Sequence, residues 1–100
     1  MCLMTSSISL RISPRAERDV ETVLRYSLRI WGEEQRILYD ALLWEAFRRI
    51  QAFPDIDRVT DEDRPRRREY HLEHHTILYR HAHDAVTILR VINPRRLRRR

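Results

Sequence analysis

Residues 8–20 read Ile8-Ser9-Leu10-Arg11-Ile12-Ser13-Pro14-Arg15-Ala16-Glu17-Arg18-Asp19-Val20. Apolar and polar residues alternate from Ile8 to Ile12, which is the period-two pattern of a half-buried strand. Ser13-Pro14 ends the alternation. A serine hydroxyl can cap a helix, and proline suits the first helical position, where no backbone N–H is needed. Beyond it, Ala16, Val20, Val23, Leu24, Ser27, Leu28 and Trp31 fall on one face of a helix. Glu17 and Asp19 near its start and Arg29 near its end complement the helix dipole. Gly32, the only glycine, stands where a residue in the left-handed region is wanted after a helix.

A second helix follows at once, with Glu33 and Glu34 in its first turn, and runs to about Phe53, stopping before Pro54. It carries two apolar stripes. Tyr39, Leu42, Leu43, Ala46, Ile50 and Phe53 form one, and Ile37, Leu38, Ala41 and Trp44 form another on a different side. A helix packed only on its own sheet needs one stripe. The second either packs on the first helix or presents a docking face to a partner. The pattern alone leaves both open.

Residues 55–67 are polar, include Pro65 and read as a loop. Three short strands are expected after it, over 69–74, 76–81 and 86–92. The last is β-branched and apolar on both faces, as a central strand should be. Residues 81–85 read as a hairpin connection. The order β-α-α-β-β-β defines an α+β domain, a helical hairpin packed on an antiparallel sheet.

One domain is expected over residues 1–100, with residues 1–7 and 95–100 as flexible ends. Met4 is a possible alternative start. A lone cysteine, Cys2, excludes an intrachain disulfide and fits a reducing cytoplasm. There is no apolar run of membrane-spanning length and no signal-peptide core in residues 1–10. All 20 cations are arginine. Five lie at Arg95, Arg96, Arg98, Arg99 and Arg100, so residues 1–94 carry a formal net charge of zero. A second cluster, Arg64 with Arg66, Arg67 and Arg68, follows the acidic run Asp61-Glu62-Asp63. Local basic spots of this kind suit phosphate or an acidic protein partner.

Three stretches carry a family resemblance. Ile12-Ser13-Pro14-Arg15-Ala16-Glu17-Arg18-Asp19 resembles the hydrophobic-S/T-P-x-A-x-x-D opening of ParE-type toxins. Trp31-Gly32-Glu33-Glu34-Gln35 is similar to that family's helix junction. Arg68, then His75-Thr76-Ile77-Leu78-Tyr79-Arg80, then Ile88-Leu89-Arg90-Val91-Ile92 matches its closing strands in order and spacing. From about Ile8 to Arg96 the chain resembles the ParE/RelE family of toxins from type II toxin–antitoxin pairs, closer to ParE. The resemblance implies the RelE/ParE-like fold and a small ParD-like antitoxin that neutralises the toxin as a hetero-oligomer through a C-terminal segment. It marks Arg68, Tyr79, Arg80 and Arg90 as family-characteristic.

The family has two activities. RelE-type members cut messenger RNA in the ribosome; ParE-type members inhibit DNA gyrase by binding. Cleavage through a 2′-hydroxyl needs a base, an acid and cations on the phosphate. Here there is no lysine and no tyrosine after Tyr79. Arg68, His75 and Arg95 are the nearest approach to a nucleolytic set, so the expectation is a binding inhibitor rather than an enzyme. One departure weakens it: Asn93 stands where ParE-like members commonly have His. The expected target-binding residues are Arg90, Asn93, Arg95 and Arg96, and the antitoxin is expected on Leu38, Ala41 and Trp44.

Arginine inside an apolar strand is rarely buried unpaired, so Arg90 is expected to pair with an acid such as Glu73 or Glu69, or to reach the sheet's open face. Tyr79 reads as a core aromatic. The five histidines, among them His71 and His75 on one strand face with Glu73 and the His81/His83 pair, invite a metal. The lack of a visible convergent set makes exposed strand histidines the better reading. No metal and no cofactor are expected.

Overall fold

A computed structural model of the chain describes residues 8–54, 58–59, 67–82 and 84–93. The expected flexible ends, with Cys2, Met4, Arg95 and Arg96, lie outside the described residues, as do Arg64, Pro65, Arg66 and His83. Strand β1, Ser9–Ile12, leads into helix α1, Pro14–Trp31, and Glu33–Ala52 forms α2. Ser13 is the N-cap of α1 and its hydroxyl accepts the Ala16 N–H at 3.0 Å. Gly32 alone separates the helices. Its φ of 100° is the positive value expected, although its ψ of 176° lies outside the left-handed helical well, in a region open essentially to glycine. Its N–H caps α1 on Leu28 O and its carbonyl accepts from Arg36 N, so one residue closes one helix and opens the next.

The remaining strands are β2, Arg58–Val59, β3, Arg67–His71, β4, Thr76–Ala82, and β5, Ala85–Ile92. The sheet order is β1-β5-β4-β3-β2. Three expectations change. The sheet is mixed, not antiparallel, because β1 pairs with β5 in parallel, Ile12 opposite Ile88; alternation in a strand says nothing about its neighbour's direction. The 55–67 stretch, read as a loop, contains β2, which pairs Arg58 with Glu69 and Val59 with Arg68. Two residues are too few to make a readable pattern. A third change concerns β3, which ends at His71. Leu72 N–H then bonds His75 O at 2.8 Å, so His75 sits in the turn and not on the strand face expected to hold it with His71.

β5 contains the decisive irregularity. Leu78 lies opposite Arg90, yet Tyr79 lies opposite Ile88. Two residues of β5 therefore answer one of β4, and Leu89 is a bulge, which shifts the alternation by one residue. Val86 and Ile88 point to the core before it and Val91 after it, all buried. Without the bulge Arg90 would share the face of Val86 and Ile88.

Both helices lie on one face of the sheet. Ala16, Tyr39, Leu43, Ala46, Phe47 and Ile50 meet Ile77, Tyr79, Val86, Ile88 and Val91, with Leu10, Ile12, Val20, Val23 and Leu24 at the margin. Each large apolar side chain buried there contributes about 1.5–3 kcal/mol. Phe47 is the core residue that neither expected stripe contains. Phe53, Leu28 and Trp31, expected inside, are exposed.

Candidate functional site

β1 covers β5 only as far as Ile88, so the edge of β5 beyond it needs other partners for its backbone. The start of α1 supplies them. Ser13 N–H bonds Ile88 O at 3.0 Å, and the Ser13 hydroxyl donates to Leu89 O at 3.0 Å. One turn on, Asp19 Oδ2 accepts the Val91 N–H at 2.9 Å. The same carboxylate takes Arg90 in a two-point grip, Nε to Oδ2 at 2.8 Å and Nη2 to Oδ1 at 3.2 Å. This hydrogen bond pushes the Arg90 pKa further up, so the guanidinium stays charged. Ala16, fully buried between these contacts, admits nothing larger without lifting the helix. Ser13, Ala16 and Asp19 thus act together as a clasp that makes α1 a substitute for a strand.

The face of the sheet away from the helices is rich in arginine. Register places Arg67 on β3 opposite Arg80 on β4, Arg80 opposite Thr87 on β5, and Thr87 opposite Arg11 on β1. The three form one row across the sheet, all exposed. A depression of about 440 Å³ is lined by Arg15, Arg67, Arg68 and Arg90, with Ser13, Leu78 and Leu89. A neighbouring one of about 310 Å³ is lined by Arg11, Arg80, Asp84 and Thr87, with small residues around them.

The outer face of the hairpin is the opposite in character. Leu38 and Trp44 are 58% and 41% exposed, and Ile37, Ile30 and Trp31 beside the junction are about half exposed or more. Ala41 is exposed between them. Trp44 meets the buried Phe47 ring edge-on at 5.3 Å, so it is anchored at its base and bare at its rim. The second stripe of α2 therefore faces outward instead of packing on α1.

At the other end of the sheet, the Tyr39 hydroxyl and His75 Nδ1 are 2.7 Å apart. Burial pushes the Tyr39 phenol up to about 12, and repulsion from Glu73 adds to this. Burial, followed by repulsion from His74, pulls the His75 imidazole below its ordinary value. A neutral His75 accepting from Tyr39 satisfies both and ties α2 to the β3–β4 turn.

The family model for the ParE toxin of type II toxin–antitoxin system, parDE, matches residues 10–98. The chain belongs to the ParE toxin family. Among curated relatives, Toxin ParE1 of Mycobacterium tuberculosis (strain CDC 1551 / Oshkosh) is 32% identical over 85 residues, covering 84% of this chain and 87% of the relative. The same identity and coverage hold for Toxin ParE1 of strain ATCC 25618 / H37Rv. Among solved structures, a chain of the chromosomal ParDE TA system from P. aeruginosa superposes with a TM-score of 0.75 at 18% identity, covering 87% of this chain and 96% of that one. The solution structure of the conserved hypothetical protein HP0894 from Helicobacter pylori gives 0.54 at 17% identity, covering 86% and 93%. These two likenesses establish the α+β fold.

Within this ParE-family fold, Tyr79 is fully buried and its hydroxyl donates to Pro54 O at 3.1 Å, a core role. Arg90 pairs with Asp19, not with Glu73 or Glu69; Glu69 bonds His71 instead, at 3.1 Å. In the sequence Asp19 looks like a helix-dipole acid, which conceals its pairing with Arg90, although the family opening already ends on it. Arg68 lies opposite Tyr79, four residues along β4 from His75, a backbone separation of about 13 Å. The nucleolytic candidates Arg68 and His75 are therefore not brought together, and Arg95 is outside the described residues. Arg80 joins the exposed row. Asn93 is exposed just past β5, three residues from Arg90; the other expected target residues, Arg95 and Arg96, are outside the described residues. Arg11 and Arg15 were not singled out in the sequence as charges, and Arg67 was read only as part of the basic cluster with Arg64, Arg66 and Arg68. Alternation about Leu10 and Ile12 was the available signal for Arg11.

Among the described residues, no helix is long and apolar enough to cross a membrane.

Proposed function

We propose that the chain is the toxin of a type II toxin–antitoxin pair, neutralised by a cognate ParD-like antitoxin and acting by binding DNA gyrase. The observation that carries the antitoxin reading is the exposed stripe of Leu38, Ala41 and Trp44 on the outer face of α2. An amphipathic helix laid along it would bury its own apolar residues at the same spacing. A large aromatic held at its base and open at its rim is a typical anchor.

Gyrase is favoured over ribosome-dependent cleavage of messenger RNA by the chemical inventory. Arginine stays protonated and is a poor proton shuttle. His75, whose imidazole pKa burial lowers, is hydrogen-bonded with Tyr39 in the opposite corner from Arg68. Target binding is assigned to Arg90 and Asn93 with Arg95 and Arg96. The clasp on Asp19 fixes where Arg90 lies at the head of that segment.

The test is expression of the chain alone and together with the product of a short neighbouring reading frame. Growth arrest is expected alone, with rescue by the neighbour. Removing residues 95–100 should abolish arrest while leaving the fold intact by circular dichroism. Harmless expression of the intact, folded chain would contradict the proposal.

A further inference from the structure

The open face of the sheet has no role in the antitoxin reading, since the apolar stripe lies beyond the helices on the other side. Among the described residues Arg11, Arg15, Arg67 and Arg80 form no ion pair, and all four are exposed. Arg67 and Arg80 stand directly opposite each other on neighbouring strands, an arrangement that costs stability when the charges are alike. Arg90 adds a fifth guanidinium at the rim of the larger depression, with its charge matched by Asp19. The acids on this face are Glu69, which bonds His71, and Asp84, which lines the smaller depression.

We propose that this face is a binding surface for the phosphate backbone of duplex DNA. Charge density selects the occupant. Arg67 and Arg11 are three strand spacings apart across the sheet, about 14 Å. A DNA duplex presents about one charge per 1.7 Å of axis, so roughly eight phosphates fall within that span. An acidic peptide in extended form supplies at most about one charge per 3.3 Å and would need an unbroken acidic run. The arginines are also spread over a two-dimensional face, which suits two backbones better than one strand.

The side chains between the arginines point to a duplex rather than a single strand. Single-stranded nucleic acid is held by aromatic rings on which bases stack. Register puts Thr87, Leu78 and Glu69 on this face, with His71 held by Glu69, and with Ala82, Ala85 and Ser9 at the edge of the smaller depression; the described tyrosines of these strands, Tyr70 and Tyr79, are on the helix side. Arginine forks with no stacking platform read phosphates and position a backbone without reading bases. The surface should therefore bind without strong sequence preference. This holds whether or not gyrase is the target.

The experiment is fluorescence anisotropy of the purified full-length chain with a short labelled duplex DNA over a salt series. Each neutralised phosphate contributes a slope of about −0.9 in log affinity against log salt. The three unpaired arginines of the row, with Arg15 of α1 at the larger depression, should therefore supply about 3 to 4 units of the measured slope. Arg11→Gln with Arg80→Gln should reduce the slope by about 2 and weaken binding roughly tenfold at low salt. Arg67→Gln with Arg80→Gln is the second variant, and it removes a repulsive pair, so it should fold at least as well. A tail variant, Arg98→Gln with Arg99→Gln, controls for the basic C-terminus.

Loss of affinity in both face variants, with both folded by circular dichroism and the duplex preferred, supports the surface. The proposal is overturned if the slope falls only in the tail variant. It is equally overturned if a single strand binds more tightly than the duplex, or if poly-glutamate of equal charge competes as well as DNA, which would reassign the face to single strands or acidic proteins.

Discussion

The outer face of the helical hairpin and the open face of the sheet both expose side chains that water does not favour together, but for opposite reasons. Leu38, Ala41 and Trp44 on α2 present apolar surface, whose burial is non-directional and responds little to salt. Arg11, Arg67 and Arg80 present like charges, whose pairing needs an anion in a defined place and weakens as salt rises. The two faces are about one helix layer and one sheet apart, within a molecule 21 Å thick. A partner seated on one leaves the other open. A chain of this size therefore has room for two different partners, one recognised by shape and one by charge.

The largest expected effect separates the two sides of α2. Phe47→Ala should cost about 3–5 kcal/mol of stability, because a fully buried ring leaves a cavity. Trp44→Ala should cost only about 1 kcal/mol of stability, mostly its edge-on contact with Phe47, while weakening antitoxin binding by about 2 kcal/mol or more. Chemical denaturation and calorimetric titration give both quantities. A Trp44 variant that unfolds as readily as the Phe47 one, with unchanged affinity per folded molecule, would make α2 a core helix on both sides and end the contrast.

Next comes the joint that holds the faces in register. Asp19→Ala removes both bonds to Arg90 and the acceptor for Val91 N–H, for a loss of about 2 kcal/mol. Hydrogen exchange at Val91 should rise along with it. If exchange there is unchanged, the clasp is not what satisfies the β5 edge.

That clasp also shows what the sequence could and could not reveal. The strand Ser9–Ile12, the helix start at Ser13-Pro14 and the break at Gly32 were legible because each depends on local chemistry: alternation, a cap, a positive φ. The stripes of α2 were legible too, since Leu38, Ala41 and Trp44 are set by helical period alone. The parallel pairing of β1 with β5, the two-residue β2 and the bulge at Leu89 were not. Each is decided by a neighbour distant in sequence. The bulge in particular moves Arg90 off the face of Val86 and Ile88, where a uniform alternation through Ile88, Leu89 and Arg90 would put it. The arginine row was half legible. Alternation puts Arg11 and Arg80 on polar faces, but only the register shows that they share one with Arg67.

A smaller effect is expected at the second joint, between α2 and the β3–β4 turn. The folded His75 has its pKa held below the ordinary 6.5 by burial. Between these two values the unfolded chain binds more protons, so stability is full above about 6.5 and is lost as pH falls toward the folded value. Tyr39, raised to about 12 from 10.0, gives the mirror case: its contribution is full below 10 and is lost as pH rises toward 12. His75→Gln should flatten the acid side of the stability curve and leave the alkaline side. An unchanged acid slope would place the titrating group elsewhere.

The smallest effect belongs to the sheet face. Arg67→Gln should be neutral or stabilising by a few tenths of a kcal/mol, since it relieves the cross-strand pair with Arg80. A loss instead would mean that Arg67 supports the fold and is not held there for an anion.

The most direct test of the toxin reading is a plasmid-supercoiling assay with purified gyrase and the purified chain, run beside a map of message cleavage in cells expressing it. Supercoiling should fall as the chain is added and recover when the antitoxin is present, with no codon-phased cuts in messages. Unchanged supercoiling, together with codon-phased cuts that vanish in His75→Ala, would contradict it and make the chain a ribosome-dependent nuclease.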